Sequence, residues 1–162
     1  MIEVIDVSIE IDSVMGIMKL KTQLAVVSVL VKDQDEALAF YTEKLGLEKR
    51  MDVTFGPGLR LVTVAARGQK KPEIALARPD AALHGPERVQ ELLEHTVQCQ
   101  PWIFVTDDCC KTYELLLARG VRFVRQPTRE LYGIEAIFED PSGNAFSLLE
   151  ASLKDRRVGT AA

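Results

Sequence analysis

The chain has 162 residues, of which 47% are hydrophobic and 27% charged, and its formal net charge is −4. This length and composition are those of one folded domain, or of two small similar halves that share a core. The acidic balance argues against the basic surface expected of a nucleic-acid-binding domain. The sequence contains no apolar stretch of roughly 18 residues, so we expect no helix that spans a membrane.

Residues 1–20 form an N-terminal extension ahead of the first regular elements. Apolar and acidic side chains alternate over residues 2–12, so an edge strand and an ill-ordered segment are both open alternatives. The extension has no basic region and no long apolar run, and therefore does not resemble a signal peptide.

The three cysteines, Cys99, Cys109 and Cys110, are an odd set in which two are adjacent. This spacing suits neither a disulfide framework nor a paired zinc site. It is typical of a protein in a reducing compartment, so we expect a cytoplasmic location.

Residues 21–79 predict a first βαβββ module. The apolar, β-branched run 24–31 predicts a buried strand. Asp33 followed by Glu36 predicts the start of a helix with a capping box, and Gly46 predicts its end. Three further strands are predicted over residues 47–54, 59–66 and 73–78.

Residues 101–151 repeat this order, beginning with a strand predicted over residues 101–106. Asp108 is the predicted cap of a second helix, which ends at Gly120, and it lies 75 residues after Asp33. The strands that follow are predicted over residues 121–126, 133–140 and 145–150. Two modules of similar size and order indicate a duplicated, pseudo-twofold domain.

Residues 80–100 form a connector with a short predicted helix. The connector holds both histidines of the chain, His84 and His95. We expect them to be surface side chains, and a role of His95 as a ligand or base is the alternative. After the second module, residues 152–162 form a small, polar tail that we expect to be mobile.

Three segments of the sequence carry a resemblance to a known family. They are VKDQDEALAFYTEKLGL (31–47), FVTDDCCKTYELLLARGVRFVRQP (104–127) and FEDPSGNAFSLLE (138–150). Together they resemble the vicinal oxygen chelate superfamily, which includes glyoxalase I, bleomycin-resistance proteins, fosfomycin-resistance transferases and extradiol dioxygenases. The resemblance covers about residues 22–151. It implies an α+β fold in which two βαβββ modules, with curved mixed sheets, surround a cleft that a second subunit often completes.

In the metal-dependent members of that superfamily, His, Glu or Gln side chains on the first and last strands hold a divalent ion. The matching positions in this sequence are Val26, Pro101, Ser147 and either Ile74 or Ala75, and a small shift of register would place Glu73 at the last of these. Most of these side chains have no donor atom, and a serine hydroxyl is a weak ligand. The resemblance therefore implies a metal-deficient branch without a cofactor, and metal-dependent glyoxalase or dioxygenase activity is not expected.

The candidate ligand-binding residues are those expected to line the cleft or its rim, namely Phe55, Arg60, Trp102, Tyr132 and Ser147. An arginine among aromatic side chains suits a small anionic or aromatic molecule. Core packing is the alternative for Trp102, and Arg122 and Arg125 are expected on an exposed strand face. Glu73 and His95 are candidates for catalysis, although Glu73 could instead be a solvated residue at the start of a strand.

Three functions follow from this interpretation. The first is a homodimeric protein that binds a small molecule in its cleft without a metal, as the bleomycin-resistance members do. The alternative is an enzyme of the same superfamily, of lyase, isomerase or dioxygenase type, with a non-standard or metal-independent site. The third is a structural or regulatory dimer module. We expect neither nucleic acid nor a membrane among the partners.

Overall fold

The computed structural model describes residues 23–56, 59–80, 85–94 and 102–152. These residues form two four-stranded mixed sheets and three helices. The first sheet consists of β1 (Val26–Leu30), β2 (Glu48–Thr54), β3 (Arg60–Ala65) and β4 (Glu73–Ala77). The second consists of β5 (Trp102–Val105), β6 (Arg122–Glu130), β7 (Gly133–Glu139) and β8 (Ala145–Ala151). The helices are α1 (Gln34–Ala39), which continues as a π-helical turn over Phe40–Lys44, α2 (Pro86–Glu94) and α3 (Cys109–Ala118).

The two sheets have the same topology, in the orders β1-β4-β3-β2 and β5-β8-β7-β6. In each, the first strand pairs in parallel with the last, and the other pairs are antiparallel. Ser28 pairs with Ala75 as Ile103 pairs with Ser147. Ser28 and Ile103 are separated by the same 75 residues as the two predicted helix caps. The α+β fold of two similar modules is thereby confirmed.

Both helix starts are capped by the predicted aspartates. The Asp33 carboxylate accepts hydrogen bonds from the backbone N–H groups of Asp35, at 2.8 Å, and Glu36, at 2.9 Å. These bonds favour the ionised carboxylate and hold the pKa of Asp33 below its usual value. Asp108 accepts in the same way from the backbone N–H of Lys111 at 2.8 Å. Each cap satisfies N–H groups that a helix start leaves without an intrahelical partner.

The buried apolar side chains of both modules form one cluster, on the faces of the sheets that carry α1 and α3. Tyr41 shows how the two halves meet. Its ring, on the helix of the first module, lies edge-on to Phe146 of β8, with 6.1 Å between centroids. Residues of the second module thus complete the burial of Tyr41, which is fully inaccessible to solvent.

A polar contact joins the modules beside this core. Asp140, which is 6% exposed, accepts hydrogen bonds from the Tyr41 hydroxyl at 2.9 Å and from the backbone N–H groups of Ser142 and Asn144. The Asn144 side-chain amide donates to Asp140 and to the backbone carbonyl of Leu30, both at 2.8 Å. Burial and the neighbouring Asp140 charge raise the pKa of Tyr41. The turn DPSGN (140–144) connects β7 to β8. Its hydrogen bonds to Tyr41 and Leu30 also join the second module to the first.

One strand is longer than predicted. We expected the first strand after α3 to end at residue 126, but β6 continues through Pro127 to Glu130. Its register with β7 shifts between Arg125 and Thr128, on either side of the proline. Because β6 is the edge strand of its sheet, the missing N–H of Pro127 interrupts the ladder locally without ending the strand.

Some expectations fall on residues outside the described ranges. They concern the edge strand in the N-terminal extension, both histidines, Cys99 and the tail after Ser152. In the part of the chain that is described, no helix is long and apolar enough to cross a membrane.

Candidate functional site

Each sheet has one face against the helices and a second face turned away from them, which we call the open face. Side chains alternate between the two, so that Phe146 and Leu148 of β8 join the core while Ser147 between them lies on the open face. The strand pairings extend this face across the second sheet. Its members are Ile103, Val105, Arg125, Glu130, Glu135, Ile137, Glu139, Ser147 and Leu149.

The open face of the second module contains a buried carboxylate, Glu135, which is 9% exposed. The Ser147 hydroxyl donates to its Oε1 at 2.5 Å, and the Tyr132 hydroxyl donates to its Oε2 at 3.1 Å. The Arg125 guanidinium is bonded to the same Oε2 through Nη2. Its Nη1 lies 3.3 Å from Oε1 of a second carboxylate, Glu130. We call these five residues the Glu135 cluster.

Exposed apolar side chains lie around this cluster. Ile103 and Val105 of β5 are 60% and 66% exposed, and Tyr132, at the turn between β6 and β7, is 46% exposed. An apolar surface with a few convergent polar groups is the usual composition of a small-molecule site in a protein. The open face of the second module has this composition.

On the open face of the first module the carboxylate is paired differently. Glu73, at the start of β4, receives the Lys71 ammonium at 2.8 Å and the Thr63 hydroxyl at 2.7 Å. The bond from Lys71, and then that from Thr63, lower the pKa of Glu73. A general base near neutral pH needs the opposite shift, so this geometry favours a structural ion pair at Glu73 over catalysis.

The predicted ligand-binding residues separate into two groups. Ser147 and Tyr132 are brought together by their shared bonds to Glu135. Trp102 instead pairs with Phe146 between β5 and β8, and its side chain packs against the core. Core packing was the alternative stated for it. Phe55 is an exposed side chain just after β2.

Arg60 lies on the helix side of the first sheet. It donates to Asp52 at 2.8 Å and to Asp35 at 2.7 Å, and these bonds raise its own pKa and lower that of Asp52. It belongs to a surface depression of about 530 Å³ that is separate from the Glu135 cluster. The depression is lined by Gln34, Thr54, Arg60, Arg78, Pro79, Asp80 and Val89.

Comparison with known proteins identifies the family. The sequence model of the glyoxalase/bleomycin resistance protein/dioxygenase superfamily matches residues 23–148. The chain belongs to this superfamily. The resemblance drawn from its sequence segments is thereby confirmed.

Several known proteins are similar to the chain over most of its length. The structure of UcmS2 aligns with a TM-score of 0.74 and 34% identity, over 82% of this chain and 100% of UcmS2. TnmS3, an antibiotic-binding protein from Streptomyces sp. CB03234, aligns with a TM-score of 0.63 and 26% identity, over 81% of this chain and 97% of TnmS3. The uncharacterized protein YetH of Bacillus subtilis (strain 168) is 30% identical over 79% of this chain and 98% of YetH.

The metal that some superfamily members hold does not fit the residues found here. Val26 and Ala75 have hydrocarbon side chains, and the Ser147 hydroxyl is engaged by Glu135. Pro101 lies outside the described residues. Within the described ranges, no group of three or more His, Cys, Asp or Glu side chains could hold a metal ion. Divalent ions need several such donors converging on one point.

Sequence reasoning missed Glu135, Arg125 and Glu130. Arg125 was expected on an exposed strand face, and the other two were not singled out. A signal was present in the strand GIEAIFE, where Glu135 lies between two apolar residues and shares a face with Ile137 under period-two alternation. Because this strand was predicted to end at residue 126, Glu130 was not placed on the same strand as Arg125.

Proposed function

We propose that this protein binds a small aromatic molecule on the open face of the second module and does so without a bound metal. The observation that carries the proposal is the Glu135 cluster, a buried polar group on a strand surface that also carries exposed apolar side chains. Aromatic rings gain from contact with exposed apolar side chains such as Ile103 and Val105. Polar groups at the base of such a surface fix the orientation of a ligand.

The similarity to an antibiotic-binding protein supports binding over catalysis. TnmS3 aligns with this chain over 97% of its own length, at 26% identity. The poor metal-ligand character of Val26, Ala75 and Ser147 supports the metal-free part of the proposal. The ion-paired state of Glu73 gives little support to the alternative, an enzyme of the superfamily that uses a metal-independent base.

The aromatic part of the expected ligand has more support than the anionic part. Arg60 is engaged by Asp35 and Asp52, and Arg125 by Glu130 and Glu135. An incoming anion would have to displace a carboxylate from either guanidinium, which costs most of the Coulomb energy that it gains. We therefore propose an aromatic ligand without a requirement for negative charge.

We also propose that the working form is a homodimer. β1 and β5 are edge strands of their sheets, and they carry exposed apolar side chains, among them Val26, Ile103 and Val105. Exposed apolar edge strands are surfaces that a second chain commonly covers. Light scattering in solution would give twice the chain mass, and a monomer would contradict this part of the proposal.

The function is tested by a thermal-shift screen of protein pretreated with a chelator against a panel of polycyclic aromatic compounds. A ligand that binds only the folded state raises the unfolding temperature by mass action. The compound is then recovered, and its molecular mass is measured by mass spectrometry. Stabilisation with an unchanged compound is expected. Stabilisation only after a metal is restored, or a chemically altered compound, would favour the enzyme.

The location of the ligand is tested with two variants. Ile103→Ser removes an exposed apolar side chain of the open face, and Arg78→Ala changes the depression on the helix side. The first variant is expected to weaken the shift and the second to leave it unchanged. The reverse pattern would move the ligand to the depression and overturn the proposed site.

A further inference from the structure

The Glu135 cluster has hydrogen-bond acceptors that no group within the described ranges uses. A carboxylate can accept about four hydrogen bonds. Glu135 accepts three, from Ser147, Tyr132 and Arg125. Oε2 of Glu130 has no partner among the described residues, and the Tyr132 hydroxyl keeps its lone pairs. A ligand that donates hydrogen bonds therefore finds several places to do so.

The donor groups of the cluster are directed at its own carboxylates. Arg125 gives Nη1 to Glu130 and Nη2 to Glu135, and its Nε is buried with no partner in the described part of the chain. Ser147 is fully buried and donates to Glu135. The N–H groups that remain belong to the Arg125 guanidinium, whose charge two carboxylates already offset, so a ligand that accepts hydrogen bonds gains less here than one that donates them.

The formal charges point in the same direction. Two carboxylates, Glu130 and Glu135, share the single guanidinium of Arg125, so the cluster carries one net negative charge. On the open face of the first module, Glu73 is matched one to one by Lys71, which leaves no net charge. Of these two sites, only the Glu135 cluster therefore has a net negative charge, and it includes the exposed Tyr132.

We propose that the Glu135 cluster selects ligands that carry an amine or another hydrogen-bond donor next to their aromatic ring, and that it discriminates against carboxylates and other anions. This inference rests on the proposed function and specifies the ligand class for the same face. The ring would lie against Ile103 and Tyr132. The donor would bond to Glu130 and to the free acceptor site of Glu135.

The test uses three probes that share one ring and differ in their polar group: 2-(aminomethyl)naphthalene, 2-naphthalenemethanol and 2-naphthoate. Dissociation constants are measured by NMR titration at neutral pH, with the full chain. We expect the amine to bind about tenfold more tightly than the naphthoate, with the alcohol between them. All three probes bury the same ring, and only the amine adds a desolvated pair of opposite charges.

Glu135→Gln is the decisive variant, and Glu139→Gln is its matched control. Both residues lie on β7, both side chains lie on the open face, and both changes remove one negative charge. Glu139 is paired with Arg122, away from the cluster. We expect E135Q to lose most of the preference for the amine and E139Q to retain it.

Glu130→Gln covers the case in which E135Q does not fold, because Glu130 lies at the end of the edge strand and is more exposed. It should reduce the preference about threefold. Equal binding of amine and naphthoate, tighter binding of naphthoate, or equal effects of E135Q and E139Q would overturn the inference and leave the proposed function standing. Failure of all three probes to bind would count against both.

Discussion

Asp140 contributes a buried polar contact between the modules. It accepts four hydrogen bonds, of which the one from the Tyr41 hydroxyl comes from the other module. A buried carboxylate is tolerated when most of its lone pairs are occupied, as they are here. The FY pair and the DPSGN turn were both visible in the sequence, but their contact was not, because they lie about a hundred residues apart.

We expect Tyr41→Phe to destabilise the protein by about 1–2 kcal/mol, because it leaves Asp140 with one donor fewer in a buried position. The measurement is urea unfolding at neutral pH. Tyr113→Phe is the control, since the Tyr113 ring packs on Phe123 but its hydroxyl has no partner in the described residues. That variant should lose less than about 0.5 kcal/mol. Equal losses in the two variants would contradict a special role of the Tyr41 hydroxyl.

Glu73 predicts a pH dependence of stability. Lys71 and Thr63 lower its pKa in the folded state below the ordinary value of 4.5. A group whose pKa is lower in the folded state stabilises the protein above its unfolded pKa, and this contribution is lost as the pH falls through the folded pKa. Between about pH 6 and about pH 3, the urea midpoint of Glu73→Gln should therefore fall less steeply than that of the wild type.

Glu114→Gln is the control for this measurement, because Glu114 lies exposed on α3 with no ion pair in the described ranges. Its acid profile should follow the wild type. A profile of Glu73→Gln that is as steep as that of the control would show that the Lys71–Glu73 pair contributes nothing to acid sensitivity.

At the scale of the elements, the turn from β6 to β7 has a strict requirement for glycine. Gly133 has a φ of +150°, and an added Cβ would overlap the backbone carbonyl of Glu150 on β8. We expect Gly133→Ala to cost at least about 2 kcal/mol more in unfolding free energy than Gly68→Ala. Gly68 also has a positive φ, of +79°, but a Cβ there would meet no atom within 4 Å.

The difference between these two variants combines the steric clash with β8 and the greater strain of an alanine at φ +150°, since +79° lies close to the left-handed helical region that other residues adopt. Thermal or urea unfolding of both proteins measures it. Equal destabilisation would mean that neither the close approach of β8 nor this greater strain sets the requirement at Gly133.

Most elements were predictable from the sequence because their signals are local. The capping aspartates, Asp33 and Asp108, start the helices, and β-branched runs mark the strands. The extension of β6 beyond Pro127 was not predictable, because whether a proline ends a strand depends on its position at an edge. The order of strands in a sheet is not a local property of the sequence.

The candidate site was predictable only in part, for the same reason. Ser147 and Tyr132 were identified, since each stands next to a recognisable motif. Glu135, which connects them, becomes visible only when the register of β7 against β6 and β8 is known. Trp102 and Arg60 were expected to face a ligand. The alternation of side chains along their strands directs both toward the helices instead.

At the scale of the whole molecule, we expect the two modules to unfold together. Their buried apolar side chains form one cluster, and the Asn144 amide connects β8 to the carbonyl of Leu30. Trp102 is the only tryptophan of the chain and lies in the second module. Its fluorescence should therefore report the same urea midpoint as far-UV circular dichroism, which follows both modules.

A core substitution in the first module sharpens this test. Val29 is fully buried in the shared cluster, so Val29→Ala should cost about 2 kcal/mol. It should lower the Trp102 fluorescence midpoint as much as the circular dichroism midpoint. A Trp102 transition that stays at the wild-type midpoint would show that the modules unfold independently.

The central claim is that the open face of the second module binds an aromatic donor ligand without a metal. Its most direct test is a crystal structure of chelator-treated protein soaked with 2-(aminomethyl)naphthalene. We predict density for the ring against Ile103 and Tyr132, with the amine within hydrogen-bond distance of Glu130 or Glu135. Density for the compound in the depression beside Arg60 and Arg78, or a metal ion coordinated at Ser147, would contradict the claim.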